Sequence, residues 1–193
     1  MDQSTPGVRI AMKWFTRNIC PVLLLLWMSP AMSQKMTTRA GQITFEASVP
    51  SFEPIFAVNN GASCTLNAAT GDIGTAAMMK GFKFRVSLMQ EHFNDNYVES
   101  HRYPKATFKG RIENFSASKL TNEPHEFRIK GKMEIHGKTK AMTIPAKIRR
   151  IDNGIEITSN FTLNTADFNI SIPSVVRNKV SDVVNVNCTF VVK

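Results

Sequence analysis

From residue 43 to the end of the chain, apolar side chains recur at every second position, and this two-residue period constrains the fold more than any other feature. Successive side chains of a strand point to opposite faces, so the pattern describes sheet with one dry and one wet face. Ile43, Phe45, Ala47 and Val49 form one apolar set; Phe127, Ile129, Gly131, Met133 and Ile135 form another, opposite Arg128, Lys130, Lys132 and Glu134. Met142, Ile144, Ala146 and Ile148 follow, then Ile155 and Ile157 running on to Phe161 and Leu163, then Val184, Val186, Cys188, Phe190 and Val192. From Gly81 to Leu88, Phe82, Phe84, Val86 and Leu88 alternate with Lys83, Arg85 and Ser87, which reads as a half-buried strand. Ala106, Phe108, Gly110 and Ile112 resume the pattern against Thr107, Lys109 and Arg111. Between these two segments lies a polar insert around residues 89–100 that loses the period and reads as a short helix or ordered loop. Pro104 ends it by biasing Tyr103 toward an extended conformation.

Turn signals separate the segments at Asn59-Asn60-Gly61, Gly71-Asp72, His136-Gly137 and Asp152-Asn153-Gly154. Asn153-Gly154 between Ile151 and Ile155 reads as a tight hairpin turn, since both residues tolerate positive φ. No segment shows a long helical period. The fold class is all-β, and an antiparallel meander of about eight strands can close into a barrel and remove its exposed edges. A two-sheet sandwich would satisfy the same alternation.

The N-terminus reads as a targeting segment. Lys13 and Arg17 precede the apolar run Ile19 to Met28, and Ala31-Met32-Ser33 supplies small residues for cleavage. The run is shorter than the roughly 20 residues that span a bilayer, so a signal peptide over residues 1–33 is expected, with translation starting at Met1 or Met12. Residues 34–193 then form a single domain, periplasmic or secreted, with 21 basic and 14 acidic side chains. The charges are scattered singly along strands, as at Arg128, Lys130 and Lys132, which suits a solvated outer face. A nucleic-acid site would cluster them. Transient attraction to an anionic membrane surface fits this charge better. Cys64 and Cys188 both fall with the apolar set, as two buried thiols or as a disulfide.

The interior set is rich in Phe, Ile, Met and Val, yet Ala47, Ala106, Gly110, Gly131 and Ala146 recur within it. Small residues among large ones mean either fitted packing or room for an elongated apolar guest. His92, His101, His125 and His136 form no metal-ligand spacing, and neither a nucleophile elbow nor a cysteine beside a base is present, so neither a metal site nor an enzyme is expected. His136 sits in a hairpin, where a structural hydrogen bond is expected. His92, beside Phe93 and Tyr97, is placed either to meet a polar head group or to make a structural bond.

Three stretches in order, LMQEHFNDNYVESHRYPKATFKG (88–110), GKMEIHGKTKAMTIPAKI (131–148) and FTLNTADFNISIP (161–173), resemble the YceI family. The opening GQITFEASVPSFEPIFAVNN is similar to its Bacteroidetes-like variant. The resemblance implies an exported, lipocalin-like, eight-stranded antiparallel barrel that carries a polyisoprenoid, an isoprenoid quinone or a fatty amphiphile in its lumen, as monomer or homodimer, without a cofactor. The expected lumen wall is Phe45, Phe82, Phe84, Val86, Leu88, Phe108, Phe127, Ile129, Gly131, Met133, Ile144, Ala146, Phe161, Phe168 and Phe190. His92, Phe93, Asn94, Tyr97 and Tyr103 are the expected lid, and Phe at Gly131 or Ala146 is expected to block the lumen without disturbing the fold.

Overall fold

Nine strands follow one another in the computed structural model, which describes residues 35–50 and 52–193: β1 (Lys35–Ser48), β2 (Phe56–Asn67), β3 (Asp72–Met78), β4 (Lys83–Phe84), β5 (Lys105–Ile112), β6 (His125–Ile135), β7 (Lys138–Ile151), β8 (Gly154–Asn164) and β9 (Val180–Val192). The expected signal peptide, its Met12 start and the cleavage site near Ser33 lie outside the described residues. β1 pairs with β2 on one side and with β9 on the other. The order β1-β9-β8-β7-β6-β5-β3-β2 therefore returns to β1, and eight antiparallel strands close into an up-and-down barrel. The two-residue β4 lies outside this ring, beside Ala57 and Val58 of β2.

The register places the connections 49–55, 79–104, 136–137 and 165–179 at one end, called the mouth. Connections 68–71, 113–124 and 152–153 lie at the other, where Thr37 and Lys193 exchange backbone hydrogen bonds of 2.9 and 3.3 Å. Inward positions match the alternation: Ile129 and Met133 are buried while Arg128, Lys130 and Lys132 are exposed, with Lys130 bonded to Glu113 at 2.6 Å.

Three local expectations fail. Asn59-Asn60-Gly61 is no turn but an interior part of β2. Gly41 pairs with Ala62 and Ile43 with Asn59, so β2 carries one extra residue there, a bulge. Asn59 is buried; its amide donates to Met78 O at 2.9 Å and its oxygen accepts from Gly61 N at 2.9 Å, which satisfies the disturbed backbone. The β7–β8 turn is centred on Asp152-Asn153, with Ile151 opposite Gly154, and positive φ instead marks the His136-Gly137 hairpin (51° and 70°). The strand expected over Gly81–Leu88 shrinks to Lys83–Phe84, because only these two residues find a free stretch of β2. Val86 is still extended, and a helix, α1 (Ser87–His92), starts at once.

The β7–β8 ladder is short. It runs from Ile151↔Gly154 to Lys147↔Thr158 and stops two residues before Pro145, which has no N–H to donate. Toward the mouth the gap is spanned by the turn Thr165–Phe168, which Asn164 caps by accepting from Ala166 N at 3.0 Å, and by the Lys140–Asp167 ion pair.

The half of the barrel away from the mouth is filled. Leu66, Ile112, Ile148, Ile155, Ile157 and Val192 are almost fully buried there, each contributing roughly 1.5–3 kcal/mol. The glycines belong to this filling. A Cβ on Gly41 would lie 2.2 Å from the Phe190 ring, and one on Gly131 would lie 2.6 Å from the Phe108 ring and 2.5 Å from Lys109 O. Gly131 and Gly110 face each other across β5 and β6, so the Phe108 ring lies over a platform with no side chains. Gly131 thus accommodates a neighbour and does not set lumen width, and Phe at this position would break the packing. Gly131→Ala is predicted to lower stability by about 1–3 kcal/mol in urea unfolding, whereas Gly74→Ala, whose Cβ meets only Phe108 O at 4.0 Å, leaves it nearly unchanged. Equal midpoints for the two variants would contradict this packing.

Candidate functional site

Above the Phe108 platform the barrel is not filled. A cavity of about 510 Å3 occupies the mouth half, within the roughly 300–1,000 Å3 typical of small-molecule sites. Its wall is Ile43, Phe45 and Ala47 of β1, Thr75 and Ala77 of β3, Ala106 and Phe108 of β5, Met133 and Ile135 of β6, Leu163 of β8, and Val184, Val186 and Cys188 of β9. The β8–β9 connection adds Phe168, Ile170, Ile172 and Val176, and the β1–β2 connection adds Phe52 and Ile55. Charged, imidazole and amide groups are few, namely Glu53, His92, Asn164 and Lys179, and hydroxyls come from Thr75, Tyr97, Thr107, Thr165 and Ser181.

The insert covers part of this opening. α1 continues as one π-helical turn, Phe93–Tyr97, in which Val98 N donates to Phe93 O at 3.0 Å. This wider turn brings Phe93 onto Phe45, Phe82 and Phe84, with ring centroids 5.1–5.9 Å apart. Phe45 also meets Phe82 at 5.3 Å and Phe84 at 5.7 Å in tilted and edge-on geometry, so four rings join the insert to β1 and β4.

A second attachment is polar. The φ of 43° at Glu99 turns the chain sharply, and Glu99 O accepts from both Arg102 N and Tyr103 N at 2.8 Å. The Glu99 carboxylate meets His136 Nε2 at 2.8 Å, and His136 Nδ1 lies 3.1 Å from Phe168 O. The His136 ring therefore has an acceptor oxygen beside each of its nitrogens. It thereby ties the insert, the β6–β7 hairpin and the β8–β9 connection together. The hydrogen bond from His136 is the main cause holding the Glu99 carboxyl below its ordinary 4.5. Tyr103 stacks edge-on against His136 at 4.5 Å.

Of the expected lumen residues, Phe45, Phe82, Phe84, Phe108, Met133 and Phe168 line the cavity. Ile129, Gly131, Ile144, Phe161 and Phe190 lie on inward faces but outside its lining, in the packed interior. Ala146 is buried in the packed core and Phe127 lies against it, and both also line a groove beside the β7–β8 seam with Asn160 and Asn187. Val86 is half-buried at the start of α1, and Leu88 is 57% exposed, on the outer side of the helix, because the chain is helical there. Of the expected lid, His92, Phe93 and Tyr97 line the opening. Asn94 is committed to the insert, donating to Gln90 O at 2.8 Å, and Tyr103 packs on the hairpin. Ala77 and Thr75 went unnoticed because β3, DIGTAAM, is too poor in large apolar residues to show alternation. Ile170 and Ile172 lie in a connection with no strand period to reveal them.

Cys64 and Cys188 are free, and burial pushes both thiols up to about 12, which leaves them protonated and poorly nucleophilic. Among the described residues, no three His, Cys, Asp or Glu side chains gather as a metal-ligand set.

An antiparallel barrel closed by its first and last strands, with an apolar cavity at one end, is a lipocalin-like barrel. Residues 28–192 match the family model described as a YceI-like domain, and the chain belongs to that family. Among solved structures, a polyisoprenoid binding domain from Saccharophagus degradans, implicated in plant cell wall breakdown, has a TM-score of 0.72 at 14% identity, covering 82% of this chain and 97% of that one. Burkholderia cenocepacia BcnA gives 0.65 at 16% identity over 79% and 96%, and the Campylobacter jejuni YceI protein gives 0.53 at 17% over 67% and 78%. At these identities the likeness is one of fold. No curated protein matches the chain.

The Glu99–His136 contact predicts a pH response. A carboxyl with a depressed pKa contributes stability that is complete above its ordinary 4.5 and is lost as pH falls through the folded value. At neutral pH Glu99→Gln is predicted to speed amide exchange across residues 98–103, a difference from the unsubstituted chain that shrinks in acid. Identical exchange of the two proteins at neutral pH would remove the contact's role.

Proposed function

We propose that this protein is an exported, non-catalytic carrier that holds a long apolar chain, such as a polyisoprenoid, an isoprenoid quinone or a fatty amphiphile, in the mouth half of its barrel. The observation that carries this reading is the apolar cavity of about 510 Å3, walled largely by Phe, Ile, Leu, Val, Met and Ala at the mouth end of the barrel. Solvent exclusion is sufficient as a mechanism. Each methylene withdrawn from water contributes roughly 0.8 kcal/mol, so ten buried methylenes contribute about 8 kcal/mol without a directional contact. Chain type is then selected weakly, and the polar groups at the opening, His92 among them, meet whatever head group remains in water. The likeness to a solved polyisoprenoid binding domain agrees with such a ligand. Export follows from the signal-like residues 1–33 and gives the carrier access to a membrane face.

The test is mass spectrometry of an organic extract from protein purified without detergent. A stoichiometric co-purifying lipid is the expected result. Ala106→Phe, which fills the cavity from a half-buried wall position, should reduce bound lipid at least tenfold while leaving the circular dichroism spectrum unchanged. Repeated absence of lipid, with no uptake of added isoprenoid alcohol or quinone, would leave a structural or interaction barrel as the better description.

A further inference from the structure

The six large hydrophobic residues exposed among the described residues, Phe52, Phe56, Met78, Leu88, Val175 and Val183, all lie at the mouth end of the barrel. Scattered single exposures would fall at both ends; a one-ended set marks an interaction surface. Val175 is 81% exposed, the most of the six. Two segments of this end have no acidic residue. One, from 78 to 90, carries Lys80, Lys83 and Arg85 between Met78 and Leu88; the other, from 168 to 181, carries Arg177 and Lys179 just after Val175. None of these five cations is in an ion pair among the described residues, a state they share with Lys109, Lys132 and Lys147 of the barrel wall, where Arg111, Arg128, Lys130, Lys140 and Arg149 are paired. Glu53, Glu91, Asp95, Glu99, Asp167 and Asp182 also sit at this end, outside the two segments, with Glu99 and Asp167 engaged by His136 and Lys140.

We infer that the mouth end is a docking face for an anionic lipid bilayer, with Leu88 and Val175 entering the acyl boundary while Lys83, Arg85, Arg177 and Lys179 meet lipid phosphates. The inference rests on the carrier reading for its purpose, since a chain leaving a bilayer at this face enters the cavity without crossing water. Its observations are independent of that reading. Leu88 and Val175 lie outside the cavity wall, and the two acid-free segments flank the opening. Apolar side chains entering the interface together with basic attraction is the usual physics of reversible membrane binding.

The unit Ser33–Lys193 contains the whole closed sheet and its core, and it separates docking from the apolar run nearer the N-terminus. Co-sedimentation would use vesicles of one part phosphatidylglycerol to two parts phosphatidylcholine, and vesicles of phosphatidylcholine alone. The expected result is stronger binding to the mixed vesicles and a loss of about tenfold or more in Leu88→Glu/Val175→Glu. Arg85→Gln/Arg177→Gln should weaken binding to the mixed vesicles only. Uptake of a short fluorescent fatty-acid analogue offered as a monomer should be the same in all variants. Vesicle binding without uptake of the analogue would keep the docking face and remove the proposed ligand. Undiminished vesicle binding by Leu88→Glu/Val175→Glu would overturn the docking face. So would no vesicle binding by the unsubstituted protein together with a dimer that these substitutions dissociate, which would make the face a contact between copies.

Discussion

Everything in this structure depends on β1 being hydrogen-bonded along both edges, to β2 and to β9. A meander of eight strands left open would present two edges and one exposed apolar face; closed, it has an inside. The closure is not uniform. β1 and β2 each carry an extra residue near Gly41, and the β7–β8 ladder ends early at Pro145. These irregularities let the wall bend over large interior side chains at one height and widen at another.

Two ring-over-glycine contacts divide the inside. Phe190 over Gly41, and Phe108 over Gly110 and Gly131, fill the barrel away from the mouth and leave the other half hollow. The connections over the hollow half are held in place by two contacts. Four phenylalanine rings join the insert to β1 and β4, and the His136 ring bridges Glu99 of the insert to Phe168 of the β8–β9 connection. An aromatic contact and a hydrogen-bonded one thus hold the segments at the mouth, the geometry on which the proposed carrier role rests.

The fold was largely legible in the sequence because strand parity was. Every apolar set that showed clean alternation, apart from the Gly81–Leu88 segment, points inward, and the lysine and arginine face points out. Parity gives the side of a residue and says nothing of its height. Phe190 and Phe45 share the inward set, yet only Phe45 reaches the cavity, because height depends on the stagger of the whole ring of strands. The role of Gly131 was misread for a related reason: a glycine in an apolar set signals a void only if no ring from a neighbouring position occupies it. β3 escaped notice because alanine, glycine and threonine carry little hydrophobic contrast, and Asn59-Asn60-Gly61 resembled a turn because bulges and turns use the same residues.

The division of the barrel into a filled half and a hollow half, and the proposed uptake of an apolar chain by the hollow half, are tested most directly by methyl-resolved NMR during titration with an isoprenoid alcohol. The cavity methyls of Ile43, Ile135, Leu163, Ile170 and Ile172 should shift, and those of Ile112, Ile148, Ile155 and Ile157 should stay in place. Shifts confined to the second group, or no shift in either at saturating ligand, would contradict the division.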